Sequence, residues 1–172
     1  CNFMGVIKSD AYGHDLKIVT NAIKDVVDGF GIVRLDEALI IRENSSKPIL
    51  AMQGVYSSDA YEFLKQNNIW TVIHSTSQLP LAKQFNNSLT FWIKLNTGMN
   101  RLGIKLNELD EFESFFKDSN VLMTHLACSD NPNDELNKIQ FDNFHNSWNQ
   151  ASKKMKRSVL NSNGVINFPE HS

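Results

Sequence analysis

The chain has 172 residues, 41% hydrophobic and 21% charged, with a formal net charge of −2. That is enough for one domain with a real core, and it excludes the disordered, collagenous and disulfide-rich classes. Lysines and arginines are scattered without a basic stripe, so no nucleic-acid partner is expected. No apolar run reaches membrane-spanning length and no signal-peptide pattern appears, so no membrane is expected either. The only cysteines, Cys1 and Cys128, lie far apart, which points to a reducing compartment and a cytoplasmic protein. The chain opens without Met inside an apolar run and stops at His171-Ser172 after a turn-like segment, which reads as an internal fragment.

Two kinds of segment alternate along the sequence. Short apolar runs occur at Phe3–Lys8, Phe30–Val33, Ile49–Gln53, Trp70–His74, Leu89–Leu95, Asn120–Ala127 and Ser158–Asn161. Their length and their Gly, Pro, Asn or Ser borders suit strands buried on both faces. Between them, apolar residues recur at helical spacing. Leu16, Val19, Ile23 and Val26 define one helix face, and Leu106, Leu109, Phe112 and Phe116 another. Leu136, Gln140 and Phe144 continue into Phe144, Trp148, Ala151 and Met155, and Ser75 stands as an N-cap. Repeated βα units force parallel strands with right-handed crossovers. Seven such units, without hairpin spacing, predict an α/β fold: an incomplete (β/α)8-type TIM barrel lacking its closing strand, as one domain over 1–172. A doubly wound open sheet is the alternative.

In such a fold, function gathers where strands end. The polar residues there are Lys8, Asp10, Tyr12 and His14; Arg34; Gln53; His74 and Ser75; Lys94, Asn96 and Arg101; His125 and Ser129; and Asn161, Ser162 and Asn163. A strand-end lysine such as Lys8 more often snorkels to solvent than reacts. In a partly dry mouth, however, its ammonium would be destabilised and the amine made nucleophilic. His14 and His74 have no partner at metal spacing, and no H-E-x-x-H or C-x-x-C occurs, so no metal is expected. His125, inside an apolar run, is either a satisfied core histidine or a group facing a ligand. Arg101, between Gly98 and Gly103, is either part of a solvated turn or a fixed arginine aimed at an anion. No dinucleotide fingerprint or P-loop is present, so any phosphate would rest on loop amides and hydroxyls near 161–164. Cys128 has no evident activating charge and is not expected to be a nucleophile.

Taken together, these residues resemble a known family. Val6-Ile7-Lys8-Ser9-Asp10-Ala11-Tyr12-Gly13-His14 resembles the cofactor-lysine motif of the alanine racemases, fold-type III enzymes that use pyridoxal 5'-phosphate (PLP). Residues 92–103, WIKLNTGMNRLG, resemble the family's second signature. Met123-Thr124-His125-Leu126-Ala127-Cys128-Ser129-Asp130, followed by Gln140 and Phe144, resembles the third, and Asn161-Ser162-Asn163-Gly164 the fourth. The resemblance runs in the family's order from residue 6 to 164 and implies the N-terminal barrel portion of such an enzyme.

Residue by residue, the resemblance implies that Lys8 is the Schiff-base lysine and the base on one substrate face. Tyr12 and Ser162 would bind the cofactor phosphate, with Asn161 in support. His125 would lie against the pyridine ring, and Arg101 would hydrogen-bond the phenolic oxygen. Lys94 matches a position that family members often carbamylate, which would give Arg101 an anionic partner. The implied substrate is alanine, with D-alanine destined for peptidoglycan, in a cytoplasmic homodimer. A second acid would come from a C-terminal β-domain outside this chain, so the chain alone is expected to be inactive or impaired. Asp15 stands where the family usually has glycine, and Asn96 where it has aspartate. Another fold-type III amino-acid racemase and a non-catalytic PLP-binding fragment remain the alternatives.

Overall fold

A computed structural model describes residues 2–151 and 154–171; Cys1 and Ser172 lie outside the described residues. The chain divides into two compact units, 1–72 with 87–90 and 73–86 with 91–172. All pairings observed between strands are parallel.

The first unit carries β1 (Met4–Val6), β2 (Gly29–Ile32), β3 (Ile49–Ala51) and most of β4 (Ile69–Ile73). The register runs Met4 to Gly29, Phe30 to Ile49, and Ile49 to Ile69. Phe30, Ile32, Ile49 and Leu50 are fully buried, as strands covered on both faces require. Helices α2 (Leu16–Ile23), α3 (Leu35–Asn44) and α4 (Ser58–Gln66) follow β1, β2 and β3. Each has a local reason to start where it does. Asp15 accepts the backbone N–H of Ile18, Glu37 reaches back to the N-cap N–H of Arg34, and Ser57 accepts that of Ala60. The apolar spacing extends the first of these helices to Val26, but α2 ends at Ile23 and Val26 is 74% exposed.

The second unit carries β5 (Phe91–Lys94), β6 (Val121–Met123) and β7 (Lys156–Ser158), with Trp92 opposite Val121 and Val121 opposite Lys156. Ser75 caps the 3-10 turn Thr76–Gln78 through the N–H of Ser77, and α5 (Leu79–Gln84) continues from it. The segment after β5 is a 3-10 helix, Leu106–Phe115. With three residues per turn it buries Leu109, Phe112 and Phe115, so the expected inward Phe116 is replaced by Phe115. Helix α6 (Glu135–Gln150) buries Gln140, Phe141, Phe144 and Ser147, and α7 (Ser162–Asn167) follows β7. Strand β7 also differs from expectation. It lies ahead of the apolar run at Ser158–Asn161, uses Lys156 and Arg157, and is largely exposed.

Candidate active site

In the first unit, β1 ends at Val6, and Lys8 stands one residue past the buried Ile7 rather than at the strand tip. It opens α1 (Lys8–Gly13), a turn wound in the left-handed sense: Ser9, Asp10, Ala11 and Tyr12 have φ of 55°, 54°, 53° and 57°. L-residues resist this conformation by about 1–2 kcal/mol each, so the surroundings must impose it.

Three contacts do so. The N–H of Ala11 donates to the Ile7 carbonyl, the Asp10 carboxylate accepts the N–H of Leu16 at 2.8 Å, and the Asp10 N–H donates to Glu37 at 3.2 Å. Glu37, from α3, is 6% exposed, and its other oxygen accepts the N–H groups of Val33 and Arg34. Lys8 is half-buried, with Nζ 6.0 Å from the centre of the exposed Tyr12 ring. Asp15, with φ of 67°, occupies a backbone position suited to glycine.

In the second unit, Lys94 ends β5 and is 7% exposed. The turn after it closes on a parallel bridge between Leu95 and Ile104. Asn96 Oδ1 accepts the N–H groups of Gly98 and Asn100, and its Nδ2 donates to Asn100 Oδ1. An aspartate would keep the first two bonds and lose the third. Gly103, φ 134°, lies where an added Cβ would meet the Asn96 nitrogen at 2.5 Å. Arg101 is exposed between these anchors.

His125 is half-buried on the loop after β6. Asn161, after β7, ties that loop down: Ser129 Oγ donates to its Oδ1 at 2.6 Å, and its Nδ2 donates to the Leu126 carbonyl. The same Oδ1 accepts the Gly164 N–H and caps α7, leaving the Ser162 and Asn163 side chains exposed. The structure therefore brings the His125 loop and Asn161 together in the second unit, and Lys8 and Tyr12 together in the first.

The other strand-end polar residues have local roles. Arg34 pairs with Asp36 at the surface, 2.6 Å apart, and Gln78 Oε1 accepts the His74 N–H. Gln53 is exposed. Burial and the nearby Asp134 carboxylate push the Cys128 thiol up, away from the thiolate that a nucleophile needs. No group of three or more metal-ligating side chains occurs among the described residues. Among those residues, no helix is long and apolar enough to cross a membrane.

Comparison with known proteins gives the family. The model of the alanine racemase N-terminal domain matches residues 1–172. The chain belongs to that family. Among its relatives, the alanine racemase of Mannheimia succiniciproducens is 35% identical over 95% of this chain and 47% of its own length. That of Haemophilus influenzae is 32% identical over 97% and 48%. The solved alanine racemase of Acinetobacter baumannii superposes with a TM-score of 0.86 at 29% identity, covering 98% of this chain and 52% of its own. The chain thus spans about half the length of the relatives it matches. That likeness assigns the fold class predicted from the sequence: α/β, seven βα units of an incomplete (β/α)8 barrel. A PLP-bound alanine racemase from Bartonella henselae, 23% identical with a TM-score of 0.84, shares the fold.

Sequence reasoning missed Glu37 as a support of the Lys8 turn. Its one signal was an acidic residue three positions beyond the N-cap Arg34.

Proposed function

We propose that this chain is the PLP-binding domain, over 1–172, of a cytoplasmic, homodimeric racemase that interconverts L-alanine and D-alanine for peptidoglycan, with Lys8 bonded to the cofactor. The observation that carries this reading is Lys8 itself. It is a half-buried amine just past a strand end, on a turn whose unusual hand is fixed by Glu37 and Asp10. That arrangement holds a reactive nitrogen in one place, as covalent catalysis requires.

The side chains present fit the cofactor chemically. An amine meets its aldehyde, the exposed Tyr12 and Ser162 hydroxyls suit a phosphate, and the exposed Arg101 guanidinium suits a phenolate oxygen. When bound, PLP supplies an electron sink that acidifies the substrate α-carbon. Lys8 Nζ then takes or returns the proton on one face of that carbon. Tyr12 and Ser162 would hold the phosphate, with Asn161 in support through its cap on the helix that carries Ser162; His125 would face the ring and Arg101 the phenolic oxygen. Lys94, buried at the end of β5, is the position where a carbamate would form from the amine and carbon dioxide with loss of a proton, and that anion would complement Arg101. A proton donor on the opposite face comes from outside this chain, so the chain alone is inactive or impaired.

The test adds PLP to the full-length gene product. The expected result is a visible absorption band that Lys8→Ala abolishes, together with D-alanine formed from L-alanine. A band without turnover of alanine would replace the reading with a racemase for another amino acid or a binding protein. No Lys8-dependent band at any PLP concentration would overturn it.

A further inference from the structure

Gln140 lies on α6, fifteen residues from His125, and is fully buried. Its Oε1 accepts the Ala127 N–H at 2.8 Å. Its Nε2 donates to the His125 carbonyl at 3.0 Å and to Thr97 Oγ1 at 3.1 Å. Because the Ala127 N–H can only donate and the His125 carbonyl only accept, the amide has one orientation. Thr124 Oγ1 donates its single proton to the Leu95 carbonyl, so in the 2.7 Å contact between the two hydroxyls Thr97 is the donor. The protons therefore run one way, from Gln140 through Thr97 and Thr124 to the end of β5. The same side chain also closes the space beside Gly98, where an added Cβ would lie 3.2 Å from Gln140 Cγ.

We infer that Gln140 is a positioning residue that sets the His125 loop and the Asn96–Gly103 turn against each other, and through them the cofactor contacts of His125 and Arg101. One side chain bonds the backbone on both sides of Leu126 and, through Thr97, the start of the turn that carries Arg101. A buried polar network of this kind fixes geometry when every member is satisfied, and all bonding groups of this amide are. The inference rests on the reading of His125 and Arg101 as cofactor contacts.

The test compares Q140M, T97V, T97S and S147A in the full-length gene product. S147A is the control, since Ser147 is a buried hydroxyl of the same helix whose bond stays inside that helix, to the Asn143 carbonyl. Q140M and T97V are each expected to weaken PLP binding about tenfold, the effect of roughly one net hydrogen bond, and to change the visible circular dichroism of bound PLP. T97S, which keeps the hydroxyl chain, and S147A bind PLP as wild type does. Hydrogen exchange at the Ala127 amide reads the network without cofactor: it speeds up in Q140M and not in S147A. T97V serves if Q140M fails to fold. Unchanged PLP affinity and spectrum in Q140M and T97V, or equal losses in S147A, overturn the inference. A wild-type protein with no Lys8-dependent band instead sinks the functional reading, while Ala127 exchange still decides whether Gln140 holds the loop.

Discussion

The buried carboxylate of Glu37 accepts the backbone N–H of Asp10 at 3.2 Å, joining the start of α3 to the middle of the left-handed turn. Asp10 uses its own carboxylate elsewhere, on the N–H of Leu16. Removing Glu37 strands three N–H groups, those of Asp10, Val33 and Arg34. Glu37→Ala is expected to cost about 2–3 kcal/mol in denaturant unfolding, with Glu37→Gln intermediate because the amide keeps one acceptor oxygen. The same variants should bind PLP more weakly. Wild-type stability in Glu37→Ala would remove Glu37 from its place under the Lys8 turn.

Asp15 combines an unfavourable backbone with a favourable cap, at φ 67° and with its carboxylate on the Ile18 N–H at 2.9 Å. Asp15→Gly gives up the cap at a cost of a few tenths of a kcal/mol and relieves left-handed strain of about 1 kcal/mol, so its melting temperature should equal or exceed wild type. Asp15→Ala loses the cap and keeps the strain, so it should melt earlier by the equivalent of about 1 kcal/mol. A reversed order of the two variants would show that the strain is not felt.

Tyr61 of α4 is fully buried, and burial, with the nearby Tyr56 second, pushes its phenol up to about 12. The folded state therefore holds the proton to higher pH than the unfolded chain, whose phenol titrates near 10. Its contribution is complete below about pH 10 and is lost as pH rises toward 12. Stability measured across that interval should fall more steeply in wild type than in Tyr61→Phe. Tyrosinate absorbance should also show one phenol ionising late. Identical alkaline profiles in the two proteins would contradict the burial assigned to this hydroxyl.

Gly103→Ala places a Cβ 2.5 Å from the Asn96 nitrogen and 2.6 Å from the Leu95 carbonyl carbon, at φ 134°. Backbone strain and overlap together should cost about 3 kcal/mol. Limited proteolysis should open the 96–103 turn, and PLP should bind less tightly. A variant with wild-type melting and protection would mean that the turn adapts.

Much of this was legible in the residues. The apolar runs located six of the seven strands to within a few positions, because strands buried on both faces must be continuously apolar. Strand β7 was displaced because Lys156 and Arg157 pair with β6 through backbone groups while their side chains stay exposed, leaving no hydrophobic trace. The 3-10 course of 106–115 shifted the inward position from Phe116 to Phe115, since a period of three and one of 3.6 diverge after two turns. The family's motifs named Lys8, Arg101 and His125. They did not reveal the hand of the Lys8 turn, which has no periodicity. Nor did they show the work of Glu37 and Gln140, whose partners are backbone groups that every sequence possesses.

The reversed winding of Ser9–Tyr12 also narrows what these four positions can hold. A side chain branched at Cβ collides with its own backbone in that conformation, so valine, isoleucine or threonine there would be rejected even where the surface is open, as it is at Ser9 and Tyr12. Glycine, and to a lesser degree asparagine or aspartate, would be accepted. Mutational tolerance along this stretch should follow chirality rather than exposure, the opposite of the rule for ordinary loops.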